Sequence, residues 1–303
     1  MASAEAEFAK ARMKEFAEAA VGSGVMPTLE EQRASMVFVA EAATEPAGIT
    51  ITETYAGGSR AYWHDPEGGA SDRVVLYVHG GGYVIGSARL YDRFAGHLAN
   101  AVGCRVLNVD YRLAPEHPHP AAVQDSTAAY RWLLGQGYKA EHIAISGDSA
   151  GGGLTLATVL SIKENGLPQP AAAVPLSPWT DMEGIGDSMT SNAPNDVIVQ
   201  KAALLGMAAA FLGEGTKPRD PLAAPLYGDY RGIAPIYIQV GGDETLLDDS
   251  TRVAERARNA GVDVKLDMFP EMQHVFQTSV GKIPEATDAV QRIGEYLKMK
   301  LGL

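Results

Sequence analysis

The chain has very little cysteine. Its 303 residues include a single one, Cys104, so an intrachain disulfide is excluded. Cys104 lies in the β-branched, apolar segment 103–109, which predicts a strand with the thiol buried in it. One buried thiol is compatible with a reducing compartment, and we expect a cytoplasmic protein.

Clustered positive charge and long apolar runs are also missing. Asp and Glu outnumber Lys and Arg by 37 to 25, which gives a formal net charge of −12. Nucleic acids and anionic membrane surfaces bind clustered Lys and Arg, so we expect neither as a partner. A membrane span needs about eighteen consecutive apolar residues, and residues 1–20 carry repeated Glu and Lys instead of an apolar stretch. We therefore predict no stable membrane insertion and no signal peptide.

What the chain does contain is an alternation of short apolar strands and longer helical segments from about Val74 onward. Hydrophobic residues make up 46% of the sequence, which is enough for a large buried core. Segments 92–101 and 121–134 have the pattern of crossover helices. Because strands joined by such crossovers run parallel, we predict an α/β fold with a mostly parallel sheet and helices on both faces.

The segment Gly147–Gly151 places Ser149 between two glycines, after a β-rich run and before the helical segment 152–162. A tight turn from strand to helix needs strained backbone angles, and neighbouring elements then pass where a Cβ would clash. The amide of Ala150, at a helix N-terminus, would point to the place where negative charge develops during acyl transfer. The pattern predicts a nucleophilic serine; an ordinary glycine-flanked turn is the alternative.

A second glycine-rich segment, His79–Tyr83, follows the predicted strand 73–78. A loop of this kind after an early strand supplies backbone N–H groups to an oxyanion hole, and we assign that role to Gly81 and Gly82. A phosphate-binding loop would end in Gly-Lys followed by Ser or Thr. This segment continues into Tyr83 instead, so phosphate binding is disfavoured.

Together with three further motifs, these segments resemble the hormone-sensitive-lipase-like branch (bacterial family IV) of the α/β-hydrolase family, a group of carboxylesterases. The resemblance runs from about residue 73 to the C-terminus. It implies an α/β-hydrolase fold of the eight-stranded type with a helical cap, and it implies that His79 orders the oxyanion loop by hydrogen bonding. The further motifs are Asp110–Glu116, Ser177–Asp181 and Gly242–Glu244.

A catalytic serine also needs a base, and in this fold the acid and then the base follow the serine in sequence. His274 is the only histidine after Ser149. It follows the alternating segment 262–269, so we expect it in a loop at the carboxyl end of a strand. Ligand sites of open parallel sheets lie at that edge.

Several carboxylates compete for the role of the acid. Asp243 directly follows the predicted strand 235–242, so it should reach the same sheet edge, and the resemblance implies that the residue at this position is the triad acid. Glu244 is the runner-up. We therefore predict a triad of Ser149, Asp243 and His274. The carboxylates with simpler explanations, a first helical turn or a solvated strand face, are Asp248, Asp249, Asp263 and Asp267.

The other histidines have structural explanations. His117 and His119 alternate with prolines, which could indicate a metal pair, but no third or fourth ligand follows at metal spacing. A proline-rich connector is therefore favoured, and we predict neither a metal nor a cofactor. His64, His97 and His142 have no partner at catalytic spacing.

Substrate selection is assigned to segments outside these motifs. The sequence of residues 1–45 predicts two helices. The first has an apolar face and stops at Gly22–Gly24. The second starts at a capping box at Thr28–Glu31 and runs to about Ala40. The apolar face consists of Ala9, Met13, Phe16 and Ala20.

The resemblance implies that residues 1–45 join an insert at 182–230 to form a cap over a catalytic core made of 46–181 and 231–303. Within the insert we predict a helix over 197–212. Tyr83 and Trp179 are candidate pocket residues, with packing in the core as the alternative for Trp179.

These features predict a serine hydrolase that cleaves small carboxylic esters of short to medium acyl chain without a cofactor. A lactone hydrolase is the alternative within the enzyme class, because it performs the same attack on a cyclic ester. A non-catalytic small-molecule receptor of the same fold is the alternative outside it, and the presence of His274 favours the enzyme. The sequence leaves a homodimer open.

Overall fold

An eight-stranded sheet forms the centre of the computed structural model, which describes residues 1–22 and 27–303 and the side chains of residues 1–15 and 27–303. The strand order is β1-β2-β4-β3-β5-β6-β7-β8, and every neighbouring pair from β4 to β8 is parallel. The strands are β1 (Ile49–Ala56), β2 (Ser59–Pro66), β3 (Ala70–Val78), β4 (Cys104–Asp110), β5 (Ile143–Asp148), β6 (Ala172–Leu176), β7 (Ile236–Gly241) and β8 (Val264–Phe269).

Helices cover both faces of this sheet. The α-helices are α1 (Ala4–Gly22), α2 (Leu29–Ser35), α3 (Val37–Ala40), α4 (Asp92–Val102), α5 (Ala121–Gly135), α6 (Ala150–Glu164), α7 (Ser188–Ser191), α8 (Lys201–Leu212), α9 (Leu247–Asn259) and α10 (Pro284–Leu301). Short 3₁₀ helices span Ala88–Tyr91, Ala140–His142, Pro225–Tyr227 and Phe276–Ser279. Among the helices in the described ranges, none combines the length and apolar character that a membrane crossing requires.

The central strand β3 shows why the sheet is buried on both sides. Successive side chains of a strand point to opposite faces. Accordingly, Val75 and Tyr77 pack with α4 and α10, whereas Leu76 and Val78 pack with α5 and α6. Both sets are fully buried, which is why the parallel strands read as continuous apolar runs. The predicted α/β-hydrolase fold, with its mostly parallel sheet, is confirmed.

The edge of the sheet at β1 was not predicted. β1 pairs antiparallel with β2 in a hairpin whose turn is Gly57-Gly58, and both glycines have positive φ, +62° and +101°. Two-residue hairpin turns need such angles, so the Gly-Gly pair between two β-rich segments was the available signal.

Two helix boundaries differ from the predictions. The capping box at Thr28 is present, but the helix breaks at Met36 into α2 and α3, because the β-branched and aromatic residues at 37–39 favour helix only weakly. In the insert, α8 begins at Lys201, not at 197. The Asp196 carboxylate accepts hydrogen bonds from the amides of Ile198 (2.9 Å) and Val199 (2.8 Å), which holds this segment in a turn. The predicted stop at Ser23 and Gly24, and the side chains of Phe16 and Ala20, lie outside the described residues.

The register of the parallel strands brings the motif loops together. Val78 pairs with Gly147, so the loop after β3 emerges beside the turn after β5. Leu176 of β6 pairs with Asp148 on one side and Gln239 on the other. The loops that follow β3, β5, β6, β7 and β8 therefore leave the sheet along one edge.

Candidate active site

Ser149 lies on a strained turn between β5 and α6. Its backbone has φ +54° and ψ −119°, a positive-φ conformation that a non-glycine residue adopts at a cost. The flanking glycines make the turn compatible with its neighbours. A Cβ on Gly147 would lie 2.3 Å from the Val78 carbonyl oxygen, and one on Gly151 would lie 2.0 Å from the same atom. The strain is thus held by close backbone packing between β3 and the turn.

Replacing Gly151 with alanine is expected to destabilise the protein by at least about 2 kcal/mol, because the new methyl group overlaps the backbone of β3. The matched control is Gly206→Ala in the exposed part of α8, where nothing lies within 4 Å of an added Cβ. That change should stabilise the helix by up to about 1 kcal/mol. Urea unfolding measures both; equal stabilities for the two variants would contradict the close packing.

Three side chains form a continuous hydrogen-bonded chain at this edge. The His274 Nε2 lies 2.8 Å from the Ser149 Oγ, and its Nδ1 lies 2.8 Å from the Glu244 Oε2. His274 and Glu244 are buried, with 4% and 0% of their surface exposed. With Nδ1–H donated to the carboxylate, Nε2 is left free to accept the serine proton.

The second oxygen of the Glu244 carboxylate, Oε1, is also hydrogen-bonded. Oε1 accepts hydrogen bonds from the Ser177 hydroxyl at 2.6 Å and from the Gly241 amide at 2.5 Å. Burial raises the pKa of Glu244, and these donors together with His274 act against that rise. Burial alone would lower the pKa of His274, but the charge and hydrogen bond of Glu244 outweigh it and raise the pKa above its ordinary value. Ser177 begins one of the motifs that carry the resemblance, but the sequence assigned neither Ser177 nor Gly241 a contact with the acid.

The prediction that Asp243 orients His274 is wrong in the structure, where Glu244 makes that contact. The Asp243 amide donates to the Met272 carbonyl oxygen at 3.2 Å, and its carboxylate binds the Lys10 ammonium of α1 at 2.7 Å. Adjacent residues of a loop direct their side chains differently, and it is the next residue whose carboxylate reaches the imidazole. Glu244, the second candidate, therefore takes the place of Asp243 as the carboxylate that contacts His274.

The loop His79–Gly82 lies against the same turn. The His79 Nδ1 donates to the Gly80 carbonyl oxygen at 2.7 Å, and the Gly80 amide donates to the Asp148 carboxylate at 2.9 Å. Within the described part of the chain, the amides of Gly81 and Gly82 donate no hydrogen bond. Ala150 begins α6, and the first amides of a helix have no acceptor inside it. The predicted oxyanion donors therefore include amides that a ligand can use.

The insert helix α8 packs directly on this loop. A Cβ added to Gly82 would lie only 2.1 Å from the Met207 Sδ, so Met207 packs directly against the glycine. The Phe211 ring stacks on Tyr83 with centroids 3.8 Å apart. Tyr83 and Trp179 each expose only 1% of their surface. The Trp179 Nε1 donates to the Asp181 carbonyl oxygen at 3.0 Å, which favours its alternative role in the core. The pocket role of Tyr83 stays a prediction.

Comparisons with known proteins agree with this geometry. A profile of the α/β-hydrolase fold matches residues 75–278. An acetyl-hydrolase of Streptomyces hygroscopicus is 39% identical over 257 residues, which cover 85% of this chain and 84% of the relative. The crystal structure of an esterase from the bacterial hormone-sensitive lipase family superposes with a TM-score of 0.94 at 44% identity and covers 99% of both chains. The chain belongs to the hormone-sensitive-lipase-like branch of the α/β-hydrolase family.

A further relative of this α/β hydrolase is EstE5, whose crystal soaked with p-nitrophenyl butyrate has a TM-score of 0.93 at 39% identity and covers 100% of both chains. The predicted family and the class of carboxylesterase are confirmed by these comparisons. Two ion pairs near the site hold loop residues against helices. Asp125 pairs with Arg112 at 2.7 Å and Glu116 with Arg33 at 2.7 Å.

Proposed function

We propose that this α/β hydrolase cleaves carboxylic esters of short to medium acyl chain through an acyl-enzyme formed on Ser149. His274 takes the hydroxyl proton as Ser149 attacks the ester carbonyl, and it then passes that proton to the leaving alcohol. Water then attacks the acyl-enzyme and loses a proton to His274, and His274 returns that proton to the Ser149 oxygen as the bond to the acyl group breaks and the acid leaves. Glu244 holds the imidazole in the required tautomer throughout.

The observation that carries this proposal is the hydrogen-bonded chain from Ser149 through His274 to Glu244, with 2.8 Å at both steps. The amides of Gly81, Gly82 and Ala150 are the proposed oxyanion donors, since preorganised N–H groups stabilise the charge that develops on the carbonyl oxygen. A serine hydrogen-bonded to a buried imidazole and carboxylate is an arrangement for nucleophilic catalysis, so it favours the enzyme over the binding receptor.

The proposed preference for short acyl chains rests on helix α8, which packs against the oxyanion loop. We propose that α1–α3 and residues 182–230 act as a cap. α8 brings Met207 against Gly82 and stacks Phe211 on Tyr83, which restricts the space beside the reacting carbonyl. The soaking of p-nitrophenyl butyrate into EstE5 is consistent with a short acyl group in this branch.

A panel of p-nitrophenyl esters with two to sixteen acyl carbons tests the substrate class. We expect kcat/KM to peak at about four to six carbons and to fall at least about tenfold by twelve, because a chain that outgrows its pocket loses its contacts. Lactones assayed in parallel address the alternative. If kcat/KM is higher for a lactone than for every linear ester, the lactone hydrolase replaces the esterase as the proposed function.

Activity is expected to be lost on acidification with a midpoint above pH 6.5. A protonated imidazole cannot accept the serine proton, and Glu244 raises the pKa of His274 above its ordinary value of about 6.5. The neutral, active form therefore declines at a higher pH than it would for an unpaired histidine. The acid limb of kcat/KM reports this group in the free enzyme. Full activity retained down to about pH 5.5 would contradict the assignment of the base.

A further inference from the structure

Asp243, which does not contact His274, makes a long-range ion pair instead. Its Oδ2 lies 2.7 Å from the Nζ of Lys10, which belongs to α1. The two side chains are only 26% and 17% exposed, so the pair is shielded from solvent more than an ordinary surface pair. This partly buried ion pair links the N-terminal helix to the residue directly before Glu244.

The same carboxylate connects to the loop of the base. The Gln273 Nε2 lies 3.4 Å from Asp243 Oδ2, and Gln273 directly precedes His274. Gln273 also donates to the Asn195 carbonyl oxygen at 3.1 Å and accepts from the Val197 amide at 3.0 Å. Helix α1 and the insert therefore converge on the two residues that come before the acid and the base.

Apolar contacts place α1 firmly at this position. Ala6 is buried in a cluster with Met272 and Phe276, which lie on either side of His274 in the sequence. Ser3, next to the start of the helix, donates to the Glu285 carboxylate through its amide and its hydroxyl at 2.7 and 2.8 Å. Lys10 is therefore presented to Asp243 by a helix that is anchored independently.

We propose that Lys10 and Asp243 form a positioning pair that ties α1 to the loops of Glu244 and His274 and holds the acid and the base in line with Ser149. The inference rests on the catalytic roles proposed above for those three residues. Neither member of the pair touches the reacting atoms. Small displacements of an acid or a base are costly, since a misplacement of about 1 Å can lower a rate by about a hundredfold.

The test is a charge cycle of Lys10→Met, Asp243→Asn and the double variant, with Lys10→Arg as the conservative control. Rates are expressed per active site titrated with a fluorophosphonate, so that unfolded molecules do not count. In Lys10→Met, Asp243→Asn and the double variant, which all lack the ion pair, we expect kcat to fall about fivefold with KM changed less than about twofold, because α1 no longer fixes the position of the two loops. Lys10→Arg keeps the charge and should stay within about twofold of the wild type.

The pH profiles separate positioning from a merely structural role. Lys10→Met leaves a carboxylate unpaired and should move the acid limb up by about 0.3 to 0.5 pH unit; Asp243→Asn leaves an ammonium and should move it down by a similar amount. The double variant should return the midpoint to that of the wild type. The other charges acting on His274, those of Glu244, Asp196 and Asp148, are unchanged in all variants.

The positioning pair would be overturned by wild-type kcat and midpoints in all three variants, or by a lower unfolding temperature with unchanged kcat per titrated site. An arginine variant as slow as the methionine variant would also refute it. Failure of the proposed function is recognised separately, because the wild type itself would then neither hydrolyse the esters nor react with the fluorophosphonate.

Discussion

Replacing Glu244 with glutamine is expected to lower kcat by about 10³- to 10⁴-fold, although the two side chains have nearly the same shape. Glutamine presents an NH₂ group to the imidazole, and Nδ1 would then have to accept a hydrogen bond instead of donating one. The proton moves to Nε2, the atom that lies 2.8 Å from the Ser149 hydroxyl. A histidine in that tautomer cannot take the serine proton.

The matched control is Asp243→Asn, the same chemical change one residue earlier. Because Asp243 binds Lys10 and not His274, we expect a loss of less than about tenfold. Steady-state kinetics with p-nitrophenyl butyrate measures both variants. A larger loss for the Asp243 variant than for the Glu244 variant would return the role of the acid to Asp243.

Replacing Ser149 with alanine is expected to lower kcat by about 10⁵- to 10⁶-fold, to a rate set by background hydrolysis and the remaining oxyanion donors. The fold should survive, because the change removes one oxygen and leaves the backbone packing of Gly147 and Gly151 in place. Circular dichroism and urea unfolding check this point. Turnover within tenfold of the wild type would exclude Ser149 as the nucleophile.

Much of the fold was predictable because the parallel strands are buried on both faces. Strands such as β3 and β5 then appear as short β-branched runs bounded by glycines, and their crossover helices follow at regular spacing. The β1–β2 hairpin was missed because β1 lies at the sheet edge and most of its side chains are exposed, which leaves no apolar run. The break at Met36 was missed since the apolar spacing continues across it.

The site was predictable where chemistry constrains the residue type. Ser149 was found from its glycines, and His274 from its order after the serine. The choice of Asp243 over Glu244 was wrong, because both residues occupy one loop and which carboxylate reaches His274 depends on contacts distant in sequence. The Ser177 hydroxyl and the Lys10 ammonium, which lie 67 and 233 residues from their partners, separate the two carboxylates. No local pattern carries that information.

The central claim is that His274 and Glu244 activate Ser149, and labelling with an alkyl fluorophosphonate followed by intact-mass and peptide mass spectrometry tests it most directly. The account predicts one adduct per chain, located on Ser149, absent from Ser149→Ala and formed much more slowly in Glu244→Gln than in Asp243→Asn. An adduct that persists in the alanine variant, or a wild type that does not label, would contradict it.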